Sequence, residues 1–212
     1  MLNFRFTNNE EMKERSSEMK KTKRTLVIST IIAIILIILD QITKYLAVLS
    51  LKGQAAFPII KDVFELLYLE NQSAAFGMDP VSLLHKIFSF QIFNENPQLF
   101  LQVKMIFFVI LTVVLVVAFI WVFARIPQKK RFRFLDIILV LFVSGAIGNF
   151  IDRVTHQYVI DFFYFKLINF PIFNVADIYV TVAAFAMVVV ILFYYKEEDF
   201  EEIFPKKIKE KA

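Results

Sequence analysis

Asp161 and Asp177 are the two carboxylates best placed to work as a pair. Asp161 lies in a connector and Asp177 at the start of an apolar run, places where backbone is free to shape a pocket. Two carboxylates held close cannot both ionise cheaply, so such a pair keeps one proton. The ionised member can take a proton from water while its protonated partner polarises a carbonyl, which is hydrolysis by paired acid and base. Other chemistries lack residues. The chain has no Cys, which removes a thiol nucleophile, a thiolate metal site and a disulfide framework. Its 2 His are too few for zinc sites built on several imidazoles, and His156, the nearest, reads as incidental. Ser73 and Ser144 have no evident His partner.

Six further polar residues sit where polarity is costly: Asp40, Lys44, Asn149, Asp152, Arg153 and Asn174. An Asp, Lys or Arg at the centre of a membrane helix costs about 2.5–3.5 kcal/mol on insertion scales. Each has a local explanation. Asp40 and Lys44 stand at i, i+4 and can pair on one helix face. Asn174 can cap a helix, with Asp177 in its first turn at the positive end of the dipole. Arg153 can mark a helix end, and as the neighbour of Asp152 it favours an ionised carboxylate there, a structural brace rather than a proton shuttle. Together, however, all of them and Asp161 fall at one depth. Asp40 lies 14 residues beyond Leu26, roughly 21 Å along a helix at about 1.5 Å per residue. Asp136 alone falls at the opposite end, beside a basic connector, and needs no function.

The elements that must position these groups are membrane helices. Of 212 residues, 58% are hydrophobic, with 26 Phe and only 4 Gly, and the mean hydropathy is +0.62. An average soluble domain is about 45–50% apolar, so the composition excludes an ordinary soluble globule and a disordered chain. About 20 apolar residues span a bilayer, and four stretches qualify: 26–48, 105–124, 134–152 and 176–195. The expected fold is an all-α polytopic membrane protein with four transmembrane helices and a small extracytoplasmic β-containing region. The spans divide the chain into an extension 1–25, a membrane domain 26–195 and a tail 196–212. The connector 125–133 carries five Lys or Arg and no acid, residues 1–25 carry seven basic residues and the tail five, against two in 153–175. By the positive-inside rule both termini are cytoplasmic and the polar cluster faces outward. The net charge of +4 then reflects orientation and not nucleic acid. Asp40 and Lys44 stand where a signal-peptide cleavage site would need small residues, so the first helix is expected to stay uncleaved. Residues 57–70 favour short strands. Within 80–103, LLHKIFSFQIF reads as a short interfacial helix or a loop before the breaker NENP.

Five motifs in order, DQITKYL at 40–46, NQSAAFG at 71–77, GAIGNFIDR at 145–153, VIDFF at 159–163 and FNVADIYVTV at 173–182, make the chain similar to bacterial lipoprotein signal peptidase (signal peptidase II). That resemblance covers about residues 26–195. It implies a four-helix aspartyl protease of the bacterial plasma membrane, which removes the signal peptide of a diacylglyceryl-modified prolipoprotein just before the lipidated Cys. The resemblance implies Asp161 and Asp177 as the catalytic pair. Asp40, Lys44, Asn71, Asn149, Asp152, Arg153 and Asn174 would shape the site or hold substrate. Its partners would be prolipoprotein and membrane lipid, with no nucleic acid and no metal or organic cofactor.

Two positions depart from the family pattern: Ser73 and Ser144 stand where Gly is usual, and a left-handed backbone at either would be strained. The segment 80–103 and the N-terminal extension are also longer than the pattern. A rival reading is a small transporter or a proton or cation channel with outer carboxylates. It accounts for intramembrane Asp and Lys but not for polar groups that stop in the outer third. A membrane scaffold without chemistry leaves the N-x-x-D repeats unexplained.

Overall fold

A computed structural model describes residues 2–73, 79–127 and 129–205, with side chains from residue 23 onward. Among the described residues four helices are long and apolar enough to cross a membrane. They belong to α1 (Leu2–Leu51), α4 (Pro97–Phe123), α5 (Arg133–His156) and α6 (Val175–Phe193). The candidate span of α1 is Lys23–Leu51, and the helix continues back through the extension to Leu2. Ile31, Ile35, Val114 and Leu192 are exposed on the bundle exterior, as a lipid solvent requires. The helical backbone bonds itself, which hydrocarbon also demands.

Helix α5 is the hub. It packs against α1, α4 and α6, and 39% of its apolar window is buried, against 6–11% in the other three spans. Two glycines let its neighbours approach. A Cβ at Gly145 would lie 2.5 Å from the Ala176 carbonyl oxygen, and one at Gly148 would lie 2.5 Å from Asp40 Oδ2. Real Cβ contacts do not come so close, so only Gly lets α5 meet the α6 backbone at 145 and take the Asp40 carboxylate of α1 against it at 148.

The expected strands form. Strands β1 (Phe57–Ile60) and β2 (Phe64–Asn71) make a hairpin, turning through Asp62 at φ 59°. A third strand, β3 (Val159–Tyr164), falls in the stretch read from sequence as a connector, and completes an antiparallel sheet of order β1–β2–β3. Ile160 and Phe162 of β3 pack on Ala47 and Leu51 of α1, which seats the sheet on the Asp40 end of the bundle. Between β2 and α4 in the chain, LLHKIFSFQIF falls on two short helices, α2 (Pro80–Phe88) and α3 (Gln91–Glu95), broken at Ser89 and Phe90, and Pro97 opens α4 at N1. At the opposite end Phe132, Leu135, Leu139 and Tyr195 bury Ile203 of α7 (Glu197–Ile203). Arg131 forks onto the Asp199 carboxylate there, its Nη2 at 2.5 Å from Oδ2.

Both expected glycine departures are unstrained. Neither Ser73 nor Ser144 has a positive φ. Ser144 is fully buried in α5, and its Oγ donates to the Val140 carbonyl at 2.7 Å. Residues 74–77 of the NQSAAFG motif, Gly77 among them, lie outside the described residues.

Candidate active site

Asp161 reaches the site from β3. Asn71 lies opposite Val159 and Leu69 opposite Asp161, so Asn71 and Asp161 are diagonal neighbours on one face of the sheet. Asn71 Nδ2 donates to Asp161 Oδ2 at 2.7 Å. The N–H of Phe173 donates to the Phe163 carbonyl and the N–H of Phe163 to the Phe173 carbonyl, at 3.0 and 2.8 Å. That bridge clamps the entry to α6 against β3 and sets Asn174 beside Asp161.

Asn174 joins the two carboxylates. Its Oδ1 accepts from Asp177 N–H at 3.0 Å while Asp177 Oδ2 accepts from Asn174 N–H at 3.2 Å, a reciprocal capping box. The remaining polar group, Nδ2, donates to Asp161 Oδ1 at 2.6 Å and to Asn149 Oδ1 at 3.1 Å. Asn174 is therefore both the helix cap expected from sequence and a hydrogen-bond link between the two carboxylates. Asp177 Oδ1 accepts a further bond from Asn149 Nδ2 at 2.9 Å. Asp161 and Asn174 are fully buried and Asp177 is 8% exposed. Burial first, and then the negative charge of Asp177, push the Asp161 carboxyl up to about 7; the amides of Asn71 and Asn174 pull the other way.

Behind this pair lies a cation with three acceptors. Lys44 Nζ donates to Asp40 Oδ2 at 2.9 Å, Asp152 Oδ2 at 3.0 Å and Asn149 Oδ1 at 2.9 Å, and Lys44 is 1% exposed. The i, i+4 pair of Asp40 and Lys44 forms, but as one edge of a larger network. The cation facing Asp152 is Lys44, not the adjacent Arg153 expected from sequence, because successive residues of a helix point about 100° apart. Asp152 Oδ2 also accepts the N–H of Ile160 at 3.0 Å, and Asp40 Oδ1 that of Ala176 at 2.9 Å. These two carboxylates thus brace the backbone one residue before each member of the pair. Arg153 turns toward the loop after β2, where its Nη2 donates to the Ser73 carbonyl at 3.2 Å. It stacks 5.1 Å over the Phe108 ring, and its buried Nε has no partner among the described residues.

All nine site residues read from the sequence converge here. One contributor was missed: Gln41 Nε2 donates to Asp152 Oδ1 at 3.1 Å, the Gly148 carbonyl at 3.1 Å and Asp40 Oδ2 at 3.2 Å. Its signal was its place in DQITKYL, next to Asp40. His156 stacks on Tyr158. No group of three or more described His, Asp or Glu is arranged to hold a metal ion.

Comparison with known proteins shows the family to which this fold belongs. The family model for signal peptidase (SPase) II matches residues 32–193. The lipoprotein signal peptidase of Caldanaerobacter subterraneus subsp. tengcongensis is 36% identical over 164 residues, covering 77% of this chain and 94% of that protein. That of Clostridium tetani is 35% identical over 175 residues, covering 81% and 95%. Among solved structures, a bacterial membrane enzyme determined by the in meso method superposes with a TM-score of 0.59 at 26% identity, covering 86% of this chain and 94% of the other. With four apolar helices and a family match over residues 32–193, a stretch that contains every residue of the network, the chain belongs to the signal peptidase II family of membrane proteases.

Proposed function

We propose that this protein is an aspartyl endopeptidase that removes the signal peptide from diacylglyceryl-modified prolipoproteins, with Asp161 and Asp177 as its shared-proton pair. The observation that carries the reading is the double attachment of Asn174, which holds one carboxylate by its amide and the other by its capping box. A water lying between the carboxyls loses its proton to the ionised one as its oxygen attacks the scissile carbonyl. The protonated carboxyl gives its proton to the carbonyl oxygen. Collapse of the resulting diol returns a proton to the leaving amine, and the pair ends with the one proton it began with. The one-proton state belongs to the pair and not to either residue.

Between this network and the basic end of the bundle, residues 25–39, 137–147 and 178–193 contain no charged side chain, which does not suit a conduction path. The basic ends belong on the cytoplasmic side and the site on the outer face, so that the lipidated Cys of a substrate reaches it from the outer leaflet. The test is cleavage of a lipidated prolipoprotein by purified protein. Asp161→Asn and Asp177→Asn should each abolish product while keeping wild-type elution and helix content. Wild-type turnover by either variant would refute the pair.

A further inference from the structure

At the basic end of the bundle, α1 and α5 separate around a cleft of about 540 Å³. Its inner wall is apolar, with Ile32 and Leu36 from α1 facing Ile137 and Val140 from α5. Its mouth is basic: Arg24 comes from α1, Lys130 from the 3-10 turn before α5, and Arg133 from the start of α5. Each of these three is exposed, and none has an ion-pair partner among the described residues. By contrast Lys129 at the same mouth is paired with Glu202, and Arg131 with Asp199. One acid lines the mouth, Asp136, whose buried Oδ1 has no hydrogen-bond partner among the described residues. Membrane orientation alone calls for cations in the connector. It does not call for a cleft between two helices, for a third cation on a different helix, or for a buried acceptor left without a donor.

We propose that this cleft binds one anionic glycerophospholipid, an acyl chain lying between α1 and α5 and the phosphate held by Arg24, Lys130 and Arg133. Three cations against one acid favour a headgroup with net negative charge over a zwitterionic one. The same excess disfavours a signal peptide, whose leading region is itself basic. Asp136 Oδ1 takes a hydroxyl of the headgroup, which supplies the donor it lacks. The basic mouth at Arg24 lies 16 residues from Asp40 along α1, roughly 24 Å at about 1.5 Å per residue, and the apolar wall ends at Leu36, about one turn short of Asp40. Its occupant therefore bridges the two helices that carry Asp40, Lys44, Asn149 and Asp152 without touching them.

The test uses the full chain in a neutral detergent, with bound lipid counted by native mass spectrometry during titration with phosphatidylglycerol or phosphatidylcholine. One phosphatidylglycerol should be retained per chain, and phosphatidylcholine should not compete with it. Combined Arg24→Gln, Lys130→Gln and Arg133→Gln should weaken retention about 100-fold, each cation near the lipid contributing a factor of about 5. Ile137→Trp, which fills the apolar arm and leaves the cations, should also lose the lipid. Soluble glycerol 3-phosphate should not displace it. Equal retention of both lipids, full retention by the triple variant, or displacement by glycerol 3-phosphate would overturn the proposal. So would a triple variant with unchanged lipid retention and a raised KM for prolipoprotein, which would make the cleft a signal-peptide dock.

Discussion

Asn174 does two separable jobs, and a single substitution can divide them. Ser is as good a helix cap as Asn, so Asn174→Ser should leave thermal stability within about 1 kcal/mol of wild type. It has no amide to give Asp161, and cleavage should fall at least as far as with other losses of a positioning bond, about 100-fold. Equal loss of stability and activity would mean that the residue is a cap only. Asp161 makes a second prediction. Its carboxyl sits near 7 in the folded chain against an ordinary 3.8, so between these values the native state holds a proton that the unfolded chain has released. Unfolding free energy from this group therefore falls as pH rises from about 4 to about 7 and is flat above, by at most about 4 kcal/mol at about 1.4 kcal/mol per unit. Melting in detergent should thus move down between pH 5 and pH 8, and Asp161→Asn should remove much of that slope. A wild-type slope of the opposite sign, unchanged in the variant, would refute it. Cleavage over the same range should be bell-shaped, lost in acid when both carboxyls are protonated and lost in base when neither is. The sequence showed these residues through type, depth and the motifs that contain them, and Asn71 through its motif alone. It could not show the partners of Asp152 and Arg153, because neighbours in a helix diverge and only packing decides which distant side chain each one meets.

At the scale of elements, the site depends on how closely three helices approach. Gly148→Ala would put a methyl 2.5 Å from Asp40 Oδ2 and 3.2 Å from Ala176 Cβ, driving α1 off α5 where Lys44 is held. Overpacking of this kind costs about 1–3 kcal/mol, and activity should fall further than stability because the displaced group is Asp40. Gly53→Ala is the control. Its added carbon meets nothing within 4 Å, although its φ of +76° carries local strain, so it should lose some stability with little loss of turnover. Comparable turnover from the two variants would show that the approach is not what the site needs. The spans around 105–124 and 176–195 were legible because their apolar runs have few polar interruptions. Strand β3 was not, since VIDFF is too short and too uniformly apolar to declare a strand, and its pairing with β2 joins residues about 90 apart in sequence. The tolerance for Ser144 was equally hidden: inside a helix its hydroxyl bonds back to Val140, and no left-handed backbone is needed.

For the whole molecule, polar chemistry lies at one end of an apolar bundle and unpaired basic charge at the other. Cysteine introduced at Ser82, on α2, should react with an impermeant maleimide added outside intact cells, and cysteine at Lys129 only after the membrane is opened. The chain has no native Cys to interfere. Labelling of both from one side would refute the two-sided layout, and labelling of Lys129 alone from outside would invert the proposed orientation. This two-ended layout was the most legible feature of the sequence, since charge counts and apolar length report it directly, whereas the cleft between α1 and α5 left no trace in composition. The clamp of Phe173 on β3 has a further consequence for biosynthesis. Asn174 and Asp177 belong to the last of the four spans to leave the ribosome, while Asp161 and Asn71 precede them. A nascent chain of three spans holds Asp161 without Asp177, so the proposed pair is complete only when α6 enters the membrane and docks on β3.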